Sequence, residues 1–219
     1  MNILLAAATP IEIQTTREYL AEKMYYRKDF NISILITGVG LVNTTYTLLK
    51  YFNKNRPDVV IQAGIGGTLH PLFPPGSVVL VKEELIGDLG VEENDGFYDV
   101  FDLKLADENA FPFSAKLLKN PHQKIWEAIK LPRVRAVSVN EITTGALRIQ
   151  QLIEKYGIVI ESMEGAALHY VCLQEAIPFI QLRSVSNFAG ERDKTKWQIS
   201  DAISSLNREL IEIMHHLMS

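Results

Sequence analysis

Short apolar runs of strand length alternate with helix-spaced segments along nearly the whole chain, and this alternation restricts the fold more than any other feature. Residues 2–8, 32–36, 58–63, 77–84, 133–139, 158–160 and 178–186 are the runs. The first ends at Thr9-Pro10, with helical spacing from Ile11 to about Met24. The second ends at Thr37-Gly38-Val39-Gly40, and a helix from Leu41 to about Asn53 stops before Pro57. The third closes on Gly64-Ile65-Gly66-Gly67, which reads as a glycine turn. Further helices are expected over 122–130, from Thr144-Gly145 to about Tyr156, through 163–167, and from Gln198 to Leu217. Strand followed by helix, repeated, predicts an α/β fold: a three-layer α/β/α sandwich around a mixed, mostly parallel sheet. Residues 85–121 mix acids, glycines and aromatics and read as an excursion from that sheet. With 219 residues and no repeat or linker, one domain over 1–219 is expected.

Charge and motif content narrow the function classes. The net charge is −4 and there is no lysine or arginine run, so neither nucleic acid nor an anionic membrane is an expected partner. The single cysteine, Cys172, lies in an apolar helical pattern and reads as a buried thiol. The apolar amino terminus lacks a basic leader and reads as a core strand, which fits a cytoplasmic protein. No two of the five histidines have zinc-site spacing with a further ligand nearby, so no metal is expected. After Gly38 and Gly40 the next position of a dinucleotide fingerprint is Asn43, and 64–69 lack a P-loop ending. No nucleotide cofactor is expected, and the absence of G-x-S-x-G disfavours a serine hydrolase.

One stretch concentrates polar groups where a sheet displays them. Between Glu161 and Trp197, Glu164 opens a helix and the run 178–186 delivers Asn187 to its carboxyl end. In an open α/β sheet ligands sit outside the carboxyl ends of strands, so Glu164 and Asn187 are expected to face one pocket. Glu12, at the first strand-to-helix junction, is expected beside them. Each group also has a plain structural reading. Glu12 and Glu164 suit helix starts, Asn187 suits a turn, and Met163 suits a core. Arg192-Asp193 can be a surface ion pair and Trp197 a packing anchor. The two glycine turns either admit a ligand to the backbone or serve tight packing.

Taken together, the strand ending near Glu12, Gly64-Ile65-Gly66-Gly67, Ser162-Met163-Glu164-Gly165-Ala166-Ala167 and Arg183-Ser184-Val185-Ser186-Asn187 resemble the purine nucleoside phosphorylase and nucleosidase superfamily. Ile86-Gly87-Asp88-Leu89-Gly90-Val91-Glu92 and Ser186-Asn187-Phe188-Ala189-Gly190-Glu191-Arg192-Asp193, with Trp197 following, resemble its futalosine hydrolase branch. The resemblance implies a nucleoside phosphorylase-type fold, a purine nucleoside substrate and a homo-oligomer. It also implies hydrolysis of futalosine to hypoxanthine and dehypoxanthine futalosine, in menaquinone synthesis. By the same resemblance, Glu12 would position or deprotonate the water and Glu164 would accept from the ribose hydroxyls. Met163 would pack on the sugar, and Gly64, Ile65 and Gly66 would approach the substrate. Methylthioadenosine/adenosylhomocysteine nucleosidases carry aspartate where Asn187 stands. An asparagine amide donates to N7 or a 6-oxo group without needing a proton, which favours hypoxanthine over adenine. Phosphorylases hold phosphate with an arginine and a serine where Gln62 and Ile65 stand, so water is the expected acceptor. Arg192 would pair with the carboxylate on futalosine's aromatic tail, and the purine-stacking group is expected within 139–144. The alternatives are a methylthioadenosine/adenosylhomocysteine nucleosidase and a non-catalytic nucleoside-binding module.

Overall fold

The structure is a computed structural model that describes residues 1–23, 30–94 and 96–217. β1 (Asn2–Ala7) is buried from Ile3 onward and runs into a 3-10 turn (Pro10–Ile13) and α1 (Gln14–Lys23). The expected end of that helix at Met24 lies outside the described residues. β2 (Asn31–Ile36), α2 (Leu41–Phe52), β3 (Val59–Thr68) and β4 (Val78–Ile86) follow. The excursion contains β5 (Gly90–Glu93) and β6 (Gly96–Asp99), which pair with each other, and the short β7 (Phe113–Ser114) and β8 (Leu117–Lys119). Then come α3 (Gln123–Trp126), β9 (Arg133–Ser138), α4 (Ala146–Tyr156) and β10 (Ile160–Ser162). α5 (Gly165–Gln174), β11 (Phe179–Phe188) and α6 (Ile199–Leu217) complete the chain.

The alternation of side chains along β1 shows why helices cover both faces. Ile3, Leu5 and Ala7 pack with Ile61, Leu182 and the α6 residues Leu206, Leu210 and Met214. Leu4 and Ala6 point the other way, onto Val60, Phe179, Leu48 of α2 and Leu168 of α5. A strand buried on both faces reads as a continuous apolar run because neither face meets water. The α/β class and the mixed, mostly parallel sheet are therefore as the alternation predicts. Among the described residues no helix is long and apolar enough to cross a membrane.

Two expectations need correction. The sheet is not simply open: β3 pairs with β11, β11 with β4, β4 with β9, β9 with β10, and β10 with β3 again. These five strands close a ring within the nine-stranded sheet, while β2 and β1 extend it on one side and β8 and β7 on another. The second correction concerns Gly64-Ile65-Gly66-Gly67, which is the carboxyl half of β3 and not a turn. β3 pairs with β1 through Gln62 and switches to β10 at Gly67 and Thr68. Glycine inside a strand marks such a bend or a close approach. A Cβ on Gly66 would stand 2.7 Å from the Glu161 carbonyl oxygen, and one on Gly64 would overlap the Arg183 guanidinium.

Candidate active site

Where β1, β3, β10 and β11 end at their carboxyl termini, they surround a cavity of about 280 Å³. Its walls include Glu12, Ile65, Met163, Glu164, Asn187 and Trp197.

Glu12 reaches the cavity from the 3-10 turn. The Thr9 backbone N–H and hydroxyl both donate to its Oε2, at 2.8 and 3.0 Å, and the Ile65 N–H donates to Oε1 at 3.2 Å. Three donors on one carboxylate hold it in a single orientation. Glu164 occupies the N-cap position of α5, but its side chain turns away from the helix. Its Oε1 accepts from the Gly40 N–H at 3.1 Å, and its Oε2 lies 3.6 Å from Arg183 Nη2. Gly40 has φ +93°, a conformation that favours glycine, and its N–H meets Glu164 from the loop before α2. Burial raises the Glu164 pKa, with the Arg183 charge opposing that shift and the Glu12 charge adding to it.

Arg183 is the floor of the site. It is 1% exposed, fills the space under Gly64, and donates from Nη2 to Gln62 Oε1 at 2.8 Å. A second buried cluster lies beneath α5. Glu84 accepts from Gln181 Nε2 at 2.7 Å and from the Ser138 hydroxyl at 3.2 Å. Ser138 in turn accepts from the Ala166 N–H at 2.8 Å. Burial pushes the Glu84 pKa up to about 7, since desolvation outweighs its hydrogen bonds and the Arg183 charge. His169, enclosed nearby, donates from Nδ1 to the Leu118 carbonyl at 2.9 Å, and burial lowers its pKa to about 4.

Asn187 stands one residue before the end of β11, with its amide oriented by neighbours. Its Oδ1 is 2.8 Å from the Ser186 hydroxyl, and Nδ2 donates to the Phe188 carbonyl at 2.9 Å. An amide nitrogen carries two protons, so one remains for a ligand.

The structure thus brings Glu12, Ile65, Gly66, Met163, Glu164 and Asn187 to one cavity. Gly64 stands behind that wall, giving its side-chain space to Arg183 and Glu12. Arg192 is exposed and does not line the cavity; its guanidinium lies 5.8 Å from the ring centroid of Trp197, which does. From 139–144 only Ile142 lines it. Gln62 is buried away from the cavity, on Arg183. Sequence reasoning missed Arg183 as the floor and Glu161 as a lining residue. The signal for the floor was present: Gln62, Glu84, Gln181 and Arg183 interrupt otherwise apolar strands, and an interior strand keeps a polar group only with a buried partner.

The model of the phosphorylase superfamily matches residues 4–217, and the chain belongs to that superfamily. Within it the sequence stands with the futalosine hydrolases. Futalosine hydrolase from Streptomyces coelicolor is 32% identical over 79% of this chain and 74% of its own. The enzyme of that name from Thermus thermophilus is 32% identical over 82% of this chain and 80% of its own. Among solved structures, the 5'-methylthioadenosine/S-adenosylhomocysteine nucleosidase of Helicobacter pylori superposes with a TM-score of 0.78 at 15% identity. That alignment covers 99% of this chain and 98% of the other, and it is a likeness of fold.

Proposed function

We propose that this chain hydrolyses the N-glycosidic bond of futalosine, releasing hypoxanthine and dehypoxanthine futalosine for menaquinone synthesis. The observation that carries the reading is the facing of two buried carboxylates, Glu12 and Glu164, across one cavity whose wall offers the Asn187 amide. Glycosidic cleavage passes through an oxocarbenium-like ribose while electron density moves onto the departing purine. In this reading Glu12 takes a proton from the attacking water as its oxygen bonds to the anomeric carbon. The electrons of the broken carbon–nitrogen bond leave with the base, the free Asn187 N–H stabilises them at N7 or the 6-oxo group, and the departing anion takes a proton from solvent while Glu12 returns its own to solvent. Glu164, fixed by Gly40 and Arg183, accepts from the ribose hydroxyls, and Met163 packs on the sugar. Ile65 and Gly66 line the same side. Ile65 brings no charge or hydroxyl for phosphate, which supports water as the acceptor. Ile142 is the base-stacking candidate.

Arg192, on the rim over Trp197, suits the carboxylate of the aromatic tail. We assign the whole chain to one catalytic domain working in the cytoplasm as a homo-oligomer. The exposed Val42 and Tyr46 on one face of α2 suit a subunit contact. The test is base release from futalosine, methylthioadenosine and inosine, with and without phosphate. Hypoxanthine from futalosine, independent of phosphate, is expected. Adenine from methylthioadenosine in preference would overturn the reading and promote the rival nucleosidase.

A further inference from the structure

Past β9 the chain leaves the sheet and runs along one wall of the cavity before α4 begins. The Val139 N–H still donates to the Ser162 carbonyl, and helical bonding resumes with the Ile149 N–H on the Gly145 carbonyl. The N–H groups between them need other acceptors. Those of Asn140 and Glu141 both donate to Asp88 Oδ2, and the Asn140 side-chain amide reaches Asp88 Oδ1 at 3.4 Å. That of Thr143 donates to Glu161 Oε1 at 3.0 Å. Two carboxylates, one just past β4 and one on β10, therefore grip the loop on either side of Ile142.

Packing does little to hold Ile142 in place. It is 41% exposed and lines the active cavity. Behind it lies a second cavity of about 370 Å³, bordered by Ile142 and Thr143 together with Asp88 and Arg148. The loop is a partition with space on both sides, so its position depends on its hydrogen bonds and not on a close-packed core. Arg148 steadies the anchors. Its guanidinium donates to the carbonyl of Gly87, next to Asp88, and lies 3.8 Å from the centroid of the Phe97 ring. Burial raises the Glu161 pKa and the Asp88 charge adds to the shift, while the Thr143 bonds and the Arg148 charge oppose it.

We propose that Asp88 is a positioning residue that, together with Glu161, fixes the 140–143 loop and so sets where Ile142 meets the purine base. The proposal rests on the nucleosidase reading above and extends it to a residue outside the cavity. Without the Asp88 acceptors, the loop is free to yield into the space behind it and the base loses its wall.

The test is Asp88→Ala beside Asp88→Asn. The alanine frees the Asn140 and Glu141 N–H groups, and the KM for futalosine should rise about tenfold with kcat within about threefold, the mark of lost substrate binding. The asparagine Oδ1 can accept both N–H groups in place of Oδ2, so it should bring KM back to within about threefold of wild type. Ile142→Ala should raise KM in the wild type and add less than about twofold in the Asp88→Ala background, where the loop has already lost its place. An unchanged KM in Asp88→Ala, full additivity with Ile142→Ala, or no recovery in Asp88→Asn overturns the proposal. Hydrogen exchange, read by NMR, needs no variant. Asn140 and Glu141 are exposed, yet in the wild type their amides should exchange at least about tenfold slower than in an unstructured chain. Unprotected amides overturn the proposal even if Asp88→Ala does not fold. If the wild type releases no base from futalosine, the proposed reaction fails and calorimetry with free hypoxanthine decides the positioning role. Weaker binding by Asp88→Ala with recovery in Asp88→Asn sustains it, and the same result for all three proteins overturns it.

Discussion

The floor of the site and its rim are built from the same kinds of bonds, spread over very different sequence distances. On the floor, Arg183 bonds Gln62, Gln181 bonds Glu84, and Ser138 links Glu84 to Ala166; each contact joins separate elements inside the core. On the rim, Lys196 bonds Glu191 at 2.7 Å, Asp193 accepts from Thr195, and Trp197 Nε1 donates to the Glu191 carbonyl. Those partners lie within six residues of each other. Breaking one partner of a buried pair strands a charge without water and costs about 3–5 kcal/mol. An exposed pair is worth about 0–1 kcal/mol. The difference teaches a division of labour. The groups that would meet ribose and water stand on a frame that tolerates little change. The groups that would meet a substrate's tail sit where substitution leaves the fold intact.

The sharpest break in this comparison is Glu12→Gln, which keeps the shape and removes the proposed base. Turnover should drop by about 10²- to 10⁴-fold in a steady-state assay of hypoxanthine release, and a loss under tenfold would remove Glu12 from the chemistry. Arg183→Met strips the charge from beneath Glu164 and is expected to cost about 3–5 kcal/mol in urea unfolding. A cost under about 1 kcal/mol would make the floor no different from the rim.

A subtler effect involves pH. Glu84 has a folded pKa near 7, above the ordinary 4.5, so the folded chain holds this proton more tightly than the unfolded one. Its contribution to stability is fully present below about pH 4.5 and is lost as pH rises through about 7, a change of up to about 3 kcal/mol. His169 works in the opposite direction. Its folded pKa near 4 lies below 6.5, so its contribution is lost as pH falls from 6.5 toward 4. The two offset each other in the wild type. Glu84→Gln leaves His169 alone, and stability should then rise with pH between about 4 and 6.5; a profile identical to wild type would contradict this account. The smallest effect belongs to the rim. Arg192→Ala should raise the KM for futalosine about 5- to 10-fold with kcat intact, and stability should stay within about 0.5 kcal/mol. An unchanged KM would remove Arg192 from tail recognition.

Much of this architecture was legible because strand and helix periods are local. The order of elements, the glycine loop before α2, the helix start at Glu164 and the delivery of Asn187 to a strand end all follow from spacing. The ring closure was not legible, because it depends on β11 inserting between β3 and β4, a pairing of segments more than a hundred residues apart. For the same reason Gly64–Gly67 read as a turn: in isolation a glycine run signals a bend, and only distant groups, the Arg183 guanidinium at Gly64 and the Glu161 carbonyl at Gly66, explain the missing side chains. Glu161 escaped notice because its pairing with Gly67 and its bond to the Thr143 N–H join separate segments, a register that no single-strand pattern contains.

The placement of β11 has a consequence for the order in which a growing chain can become competent. Synthesis proceeds from the amino end, so both β3 and β4 are complete long before the strand that joins them exists. A nascent chain stopped before Phe179 already carries Glu12, Glu161 and Glu164. It has neither Arg183 to hold Glu164 nor Asn187 to complete the cavity, and the edges of β3 and β4 that β11 later covers face the surroundings unpaired. Translation must pass Asn187, residue 187 of 219, before the cavity is complete, and until then those edges are a vulnerability for chaperones to cover.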